Sequence, residues 1–187
     1  VLIRPRTGAD VAACAEIFTR TQALDGYPRY VEHADASFVT SPAELGAWVA
    51  VDEGVAAGAR DKAPGAGPAG PAADRVLGHV ALHHAEGDPC FRPAHATTGL
   101  PADALAVLAR LAVDPETRGR GVGAALVAHV EQVARALGRR LVLDVTTDAL
   151  GAQRLYERSG WQRIGRTIIP VADLGDLDAY VYLAPER

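Results

Sequence analysis

The densest chemistry in this 187-residue chain lies in Arg118-Gly119-Arg120-Gly121-Val122-Gly123. Glycines so closely spaced let a backbone come near a ligand. The segment opens a stripe at helical spacing: Val122, Ala125, Leu126, His129, Val130, Val133 and Leu137, with Gly138 as the stop. The first N–H groups of a helix have no intrahelical partner, and together with the helix dipole they attract anions. Arg118 and Arg120 add positive charge, so the segment suits a pyrophosphate. A P-loop would need Gly-Lys-Ser/Thr, which is missing. Gly119-x-Gly121-x-x-Ala124 satisfies a loose dinucleotide-binding pattern. However, Asp114 to Arg118 separate it from the preceding strand, and Asp144 falls inside the next strand rather than at its end.

A second candidate is Asp144, set in Leu141-Val142-Leu143-Asp144-Val145. A carboxylate among apolar neighbours costs free energy unless it is paired or neutralised. Burial raises its pKa, which suits a general base working near neutral pH. The alternative is a structural partner of an arginine or a backbone group. His79, His83, His84 and His95, with Cys90, invite a metal reading. On one strand, though, His79 and His83 share a face and His84 points the other way. Zinc needs three or four convergent ligands, and no metal is expected. Cys14 and Cys90 sit far apart without metal-type spacing, and a reducing cytoplasm is the expected compartment.

These residues need elements to hold them. The expected strands are Val1–Arg4, Trp48–Val51, Arg75–Ala85, Leu105–Val113, Leu141–Val145, Trp161–Ile164 and Ala179–Leu183. Helices are expected after Thr7 or Asp10, from a capping box at Ser41-Pro42-Ala43-Glu44, over Val122–Leu137 and over Leu150–Ser159. Gly87–Pro101 reads as loop. The Gly/Ala/Pro-rich stretch at about 52–74 reads as a flexible loop within one domain spanning 1–187. A strand, a long helix and a strand imply one parallel crossover. The fold class is α/β: a mixed, mostly antiparallel central sheet with helices on both faces.

Composition narrows the function. Hydrophobic residues are 49% and charged residues 22%, which is the balance of a folded globular chain. A net charge of −4 disfavours nucleic acid as the main partner. No apolar run is long enough to span a membrane, and no signal peptide is seen. The only lysine is Lys62, and the Ala and Arg richness suggests a GC-rich bacterial genome.

The segment Leu111-Ala112-Val113-Asp114-Pro115-Glu116-Thr117-Arg118-Gly119-Arg120-Gly121-Val122-Gly123 resembles the Arg/Gln-x-x-Gly-x-Gly/Ala motif, with its preceding strand, of the GNAT superfamily of acyl-CoA-dependent N-acyltransferases. Ala152-Gln153-Arg154-Leu155-Tyr156-Glu157-Arg158-Ser159-Gly160-Trp161 is similar to that family's Ala-x-x-Leu-Tyr-Glu-x-x-Gly-Phe. The resemblance implies a GNAT-like fold and acetyl-CoA as co-substrate. It implies that Leu111, Ala112 and Val113 offer backbone groups to the pantetheine arm on a strand splayed from its parallel neighbour. The loop Arg118 to Gly123, continuing to Ala124, would hold the pyrophosphate, and Tyr156 would protonate the departing thiolate. Asp144 matches a carboxylate used as base in some members.

The resemblance further puts the acceptor wall after the first helix, where Tyr27, Tyr30, Glu32 and Asp35 are candidate contacts. One of His83, His84 or Glu86, at the end of a strand near the expected acceptor groove, is a further base or substrate contact. Expected partners are a small-molecule or peptide amine, with homodimerisation common among relatives. One departure is Ala149, where the family often has a cofactor-contacting Asn. It keeps open a non-catalytic acyl-CoA-binding or sensor module.

Overall fold

The computed structural model describes residues 1–29, 31, 33–52, 74–171 and 175–186. The 53–73 part of the Gly/Ala/Pro stretch, Tyr30 and Glu32 lie outside them. In chain order the elements are β1 (Leu2–Pro5), α1 (Val11–Asp25), α2 (Ala36–Val39), β2 (Glu44–Asp52), β3 (Arg75–His84), α3 (Phe91–Thr98), β4 (Leu105–Val113), α4 (Val122–Ala136), β5 (Arg140–Thr146), α5 (Leu150–Arg158), β6 (Gln162–Ile169) and β7 (Leu177–Leu183). The strands form one sheet in the order β1-β2-β3-β4-β5-β7-β6. Among the described residues only β4 and β5 run parallel, joined by the α4 crossover, and the other pairs are antiparallel.

Strand alternation sorts the side chains to two faces. On one face Val80, Leu82, Ala106, Leu108, Leu141 and Leu143 meet the apolar stripe of α4, with Tyr156 and Trp161 completing the layer. Trp161 donates from its indole to buried Glu131 at 2.7 Å. On the opposite face two smaller clusters form side by side. Val49, Val51, Val76 and Ala112 pack on Cys14, Ile17 and Phe18 of α1 and Phe38 of α2. Val107, Val142, Val181 and Leu183 pack on Cys90 and Ala94 around α3.

Four local expectations are corrected. Ser41-Pro42-Ala43-Glu44 starts no helix. The Ser41 hydroxyl accepts the Ala43 N–H at 3.2 Å to make a turn, and β2 begins at Glu44, where Arg6 pairs with its carboxylate at 2.8 Å. The Val- and Trp-containing run then gains two flanking strands, which a helix could not offer. Gly87–Pro101 is not all loop, because α3 occupies Phe91–Thr98. Pro93 is tolerated there because the first turn has no N–H partners to lose, and Gly99 closes the helix in the left-handed region at φ 71°. Thirdly, the expected loop after Pro28 holds α2, capped by Asp35, which accepts from the amides of Ser37 and Phe38. Leu137, placed on the α4 stripe by its spacing, is exposed just past the helix end.

Candidate active site

The parallel ladder between β4 and β5 is short. It pairs Leu105 with Arg140, Ala106 with Leu141 and Val107 with Val142, and goes no further. From Leu108 onward β4 leaves β5, so the sheet opens into a wedge. Within the opened part Arg110 has φ 54°, a rare conformation for a residue with a side chain. The β3–β4 register shifts nearby, between His79 and Ala81.

Buried His79 supports this bend. Its Nδ1–H donates to the Arg110 carbonyl at 2.9 Å, and its Nε2 accepts from the Arg6 guanidinium at 3.0 Å. The second contact requires neutral imidazole, because a protonated Nε2 cannot accept. Burial, with the charges of Arg6 and Arg110, pushes its pKa down to about 4. The Arg110 guanidinium lies 4.8 Å from the centre of the Phe38 ring. A His79→Ala variant strands a buried carbonyl and removes a partner of Arg6. We expect it to lose about 2–4 kcal/mol of stability, read by urea unfolding.

At the far end of β4, Asp114 fixes the way into the glycine loop. It is buried, accepts the Glu116 N–H at 3.2 Å and pairs with Arg75 at 3.0 Å and Arg20 at 3.3 Å. Its own N–H donates to the Leu77 carbonyl. The loop then turns through Gly119 at φ 77° and Gly121 at φ 81°, with Gly121 as the N-cap of α4. A glycine cap brings no side chain to occupy the first amides, and Ala125 N–H is the one that bonds back to the Gly121 carbonyl. Gly119, Arg120 and Gly121 are exposed, and nothing stands within 4 Å of where a Cβ would project from either glycine. Arg118 pairs with Asp25 at the end of α1 at 2.6 Å. Val122 is buried against the sheet, while Ala124 is exposed. Leu111 and Val113 face the α4 layer and Ala112 the α1 layer. The three strand residues, the loop and the helix start are therefore continuous along one edge of the wedge. The uncapped helix start and Arg120 suit a diphosphate, with Arg118 already held by Asp25.

On the other edge, Asp144 lies two residues past the last β4–β5 pair, opposite Val181 of β7. Its side chain is on the α3 face, where the Cys90 thiol donates to its Oδ1 at 3.4 Å. Burial, reinforced by the nearby Asp88 charge, raises its pKa to about 6. Tyr156 comes from α5 on the α4 face. Its ring lies 5.5 Å from that of Trp161 and 6.2 Å from that of Tyr182. Burial, and secondarily the Asp144 charge, lifts its phenol far above the ordinary value. The structure thus sets α5 beside the start of α4, where Leu155 and Val113 flank Gly123, and puts Tyr156 within electrostatic reach of Asp144.

Other candidates are more scattered. Tyr27 is half-buried and packs on Phe18 at 6.2 Å between ring centres, so it forms part of the α1–α2 layer. Asp35 is spent on capping α2. His83 is half-buried opposite Glu44, with its pKa held down to about 4 by burial and by the charges of Arg110 and Arg6. Glu86 is exposed in the turn after β3. Ala149 caps α5 without a side-chain bond. Gln153 instead holds the β5–α5 turn, donating to the carbonyls of Thr146 and Thr147 at 3.1 and 3.0 Å. Sequence reasoning missed Asp88 and Arg110. The Asp88-x-Cys90 spacing before a Pro-containing turn was the available signal for the first; a positive-φ arginine inside a strand gives none.

Against known proteins, the family model described as "Acetyltransferase (GNAT) family" matches residues 12–161. A search of curated proteins gave no match. Among solved structures, Arabidopsis thaliana NAA60 in complex with a bisubstrate analogue is similar at 18% identity, with a TM-score of 0.65, covering 100% of this chain and 99% of that one. The same protein in complex with acetyl-CoA covers 97% and 96%, also at 18% identity and a TM-score of 0.65. A ribosomal-protein-alanine N-acetyltransferase from Brucella melitensis covers 100% of both chains at 17% identity, with a TM-score of 0.63. No helix among the described residues is long and apolar enough to cross a membrane.

Proposed function

The chain belongs to the GNAT acetyltransferase family, and on that premise we propose that it moves an acetyl group from acetyl-CoA to a primary amine of a small molecule or peptide. The observation that carries this reading is the wedge that opens past Val107↔Val142 beside a glycine-capped helix. The donor is supported by the NAA60 complex with acetyl-CoA, and a peptide amine by the ribosomal-protein-alanine enzyme.

In this reading the amides from Gly119 to Ala124 and the charge of Arg118 and Arg120 hold the diphosphate. The free edge of β4 from Leu111 to Val113 hydrogen-bonds the pantetheine arm. The loop lies toward the α4 face while Asp144 opens to the α3 face, so the acceptor enters from the latter. The amine nitrogen bonds to the acetyl carbon, the carbon–sulfur bond breaks and the nitrogen's proton passes to Asp144. Tyr156 is the acid: its raised pKa keeps it protonated, and it donates to sulfur as charge develops there. Neither cysteine is needed as a nucleophile, since direct attack forms no acyl-enzyme.

A Tyr156→Phe variant distinguishes this from a non-catalytic acyl-CoA-binding module, the alternative that Ala149 keeps open. The enzyme reading predicts ordinary coenzyme A binding with about 10²-fold or greater loss of thiol release from acetyl-CoA. A panel of amino acids, polyamines, aminoglycosides and peptides identifies the acceptor in the same assay. Thermal stabilisation by NAD and not by coenzyme A overturns the assignment.

A further inference from the structure

Asp88, Cys90 and Asp144 each bring a polar atom to within 4.8 Å of the others. The arrangement is built rather than incidental. Asp88 Oδ1 accepts the Cys90 N–H at 2.8 Å, which closes the turn into α3. That turn buries the Cys90 thiol and directs it at Asp144 Oδ1. The α3 helix therefore brings a second carboxylate and a donor to the one titratable group on the β5 edge of the wedge.

We infer that Asp88 and Cys90 are positioning residues for Asp144, acting on it in opposite senses: the Asp88 carboxylate opposes its ionisation and the donating thiol favours it. The inference rests on Asp144 being the base of the proposed reaction. The physics is local. A like charge a few ångströms away in a partly dry site disfavours a second anion, whereas a hydrogen bond donated to a carboxylate favours its charged form. Among the described residues, the titratable groups acting on Asp144 are Asp88 and Cys90 ahead of α3 and Tyr156 from α5. β7 presents Val181 opposite it.

The test is the pH dependence of kcat/KM for the acceptor in the full chain, using any amine turned over in the panel. An Asp88→Asn variant keeps an oxygen for the Cys90 N–H, so the turn is preserved while the charge is lost. Its acid limb should move to lower pH by at least about half a unit. A Cys90→Ala variant removes the donor, and its limb should move to higher pH by a similar amount. Opposite shifts support the inference. Limbs that coincide with the parent, whatever happens to the plateau, assign both residues a merely structural role and overturn it. If they coincide while Asp144→Asn is inactive, Asp144 stands as the base and only the inference fails. If Asp144→Asn retains the full plateau, the base assignment itself falls and takes the inference with it.

Discussion

An Asp144→Asn variant is expected to lose about 10²–10⁴-fold in kcat on the alkaline plateau, the usual worth of a positioned general base. It is also expected to be more stable than the parent. Burial raises the Asp144 pKa from 3.8 to about 6. The folded state therefore binds more protons than the unfolded state between those values, and stability falls as pH rises through that window. Below it both states are protonated and the penalty is absent. Above it the full penalty applies, about 3 kcal/mol for a shift of this size. Asparagine removes that penalty and still offers an oxygen to the Cys90 thiol. The two curves of unfolding free energy against pH should separate above pH 6 and converge below about pH 4. The parent's rate should fall as pH drops through about 6, as its base becomes protonated. An active, unstabilised variant would contradict the assignment.

The glycine loop was legible in the sequence because its logic is local: a run of glycines, flanking arginines and a helical stripe. Its three glycines look alike in one dimension, and the structure separates them. Gly119 and Gly121 adopt left-handed backbone, whereas Gly123 packs between strand and helix, where a Cβ would meet Val113 and Leu155 at an ordinary 3.5 Å. The parallel crossover and Asp144 within its strand were also legible, because an apolar run interrupted by one carboxylate is unusual. The helices at Ala36–Val39 and Phe91–Thr98 were not. Both are short, and both are held by caps and by packing on strands distant in sequence. The partners of Asp144 were hidden for the same reason, since Asp88 and Cys90 reach it only after α3 folds onto the sheet.

That separation of the glycines sets the second large effect. Placing valine at Gly121 puts a β-branched residue at φ 81°, a conformation costing about 1–2 kcal/mol for L-residues. Relaxing it turns the Val122, Gly123 and Ala124 amides away from a common focus. We expect Gly121→Val to raise the KM for acetyl-CoA by at least about tenfold, equivalent to about 1.4 kcal/mol of binding, with the acceptor KM little changed. Gly123→Ala, in non-strained backbone with room for a methyl group, is expected to fold normally and serves as the control. Steady-state kinetics with each substrate varied in turn reads both. Equal effects from the two variants would mean that crowding, not amide direction, matters at this loop.

Acetyl transfer by this chain depends on the start of α4 gripping the diphosphate of coenzyme A. Backbone amide chemical shifts of the isotopically labelled protein, followed as coenzyme A is added, test it most directly. The largest saturating changes should fall on Gly119 to Ala124, with smaller ones along Leu111 to Val113. Saturable binding that leaves those amides unmoved while perturbing another surface would contradict it.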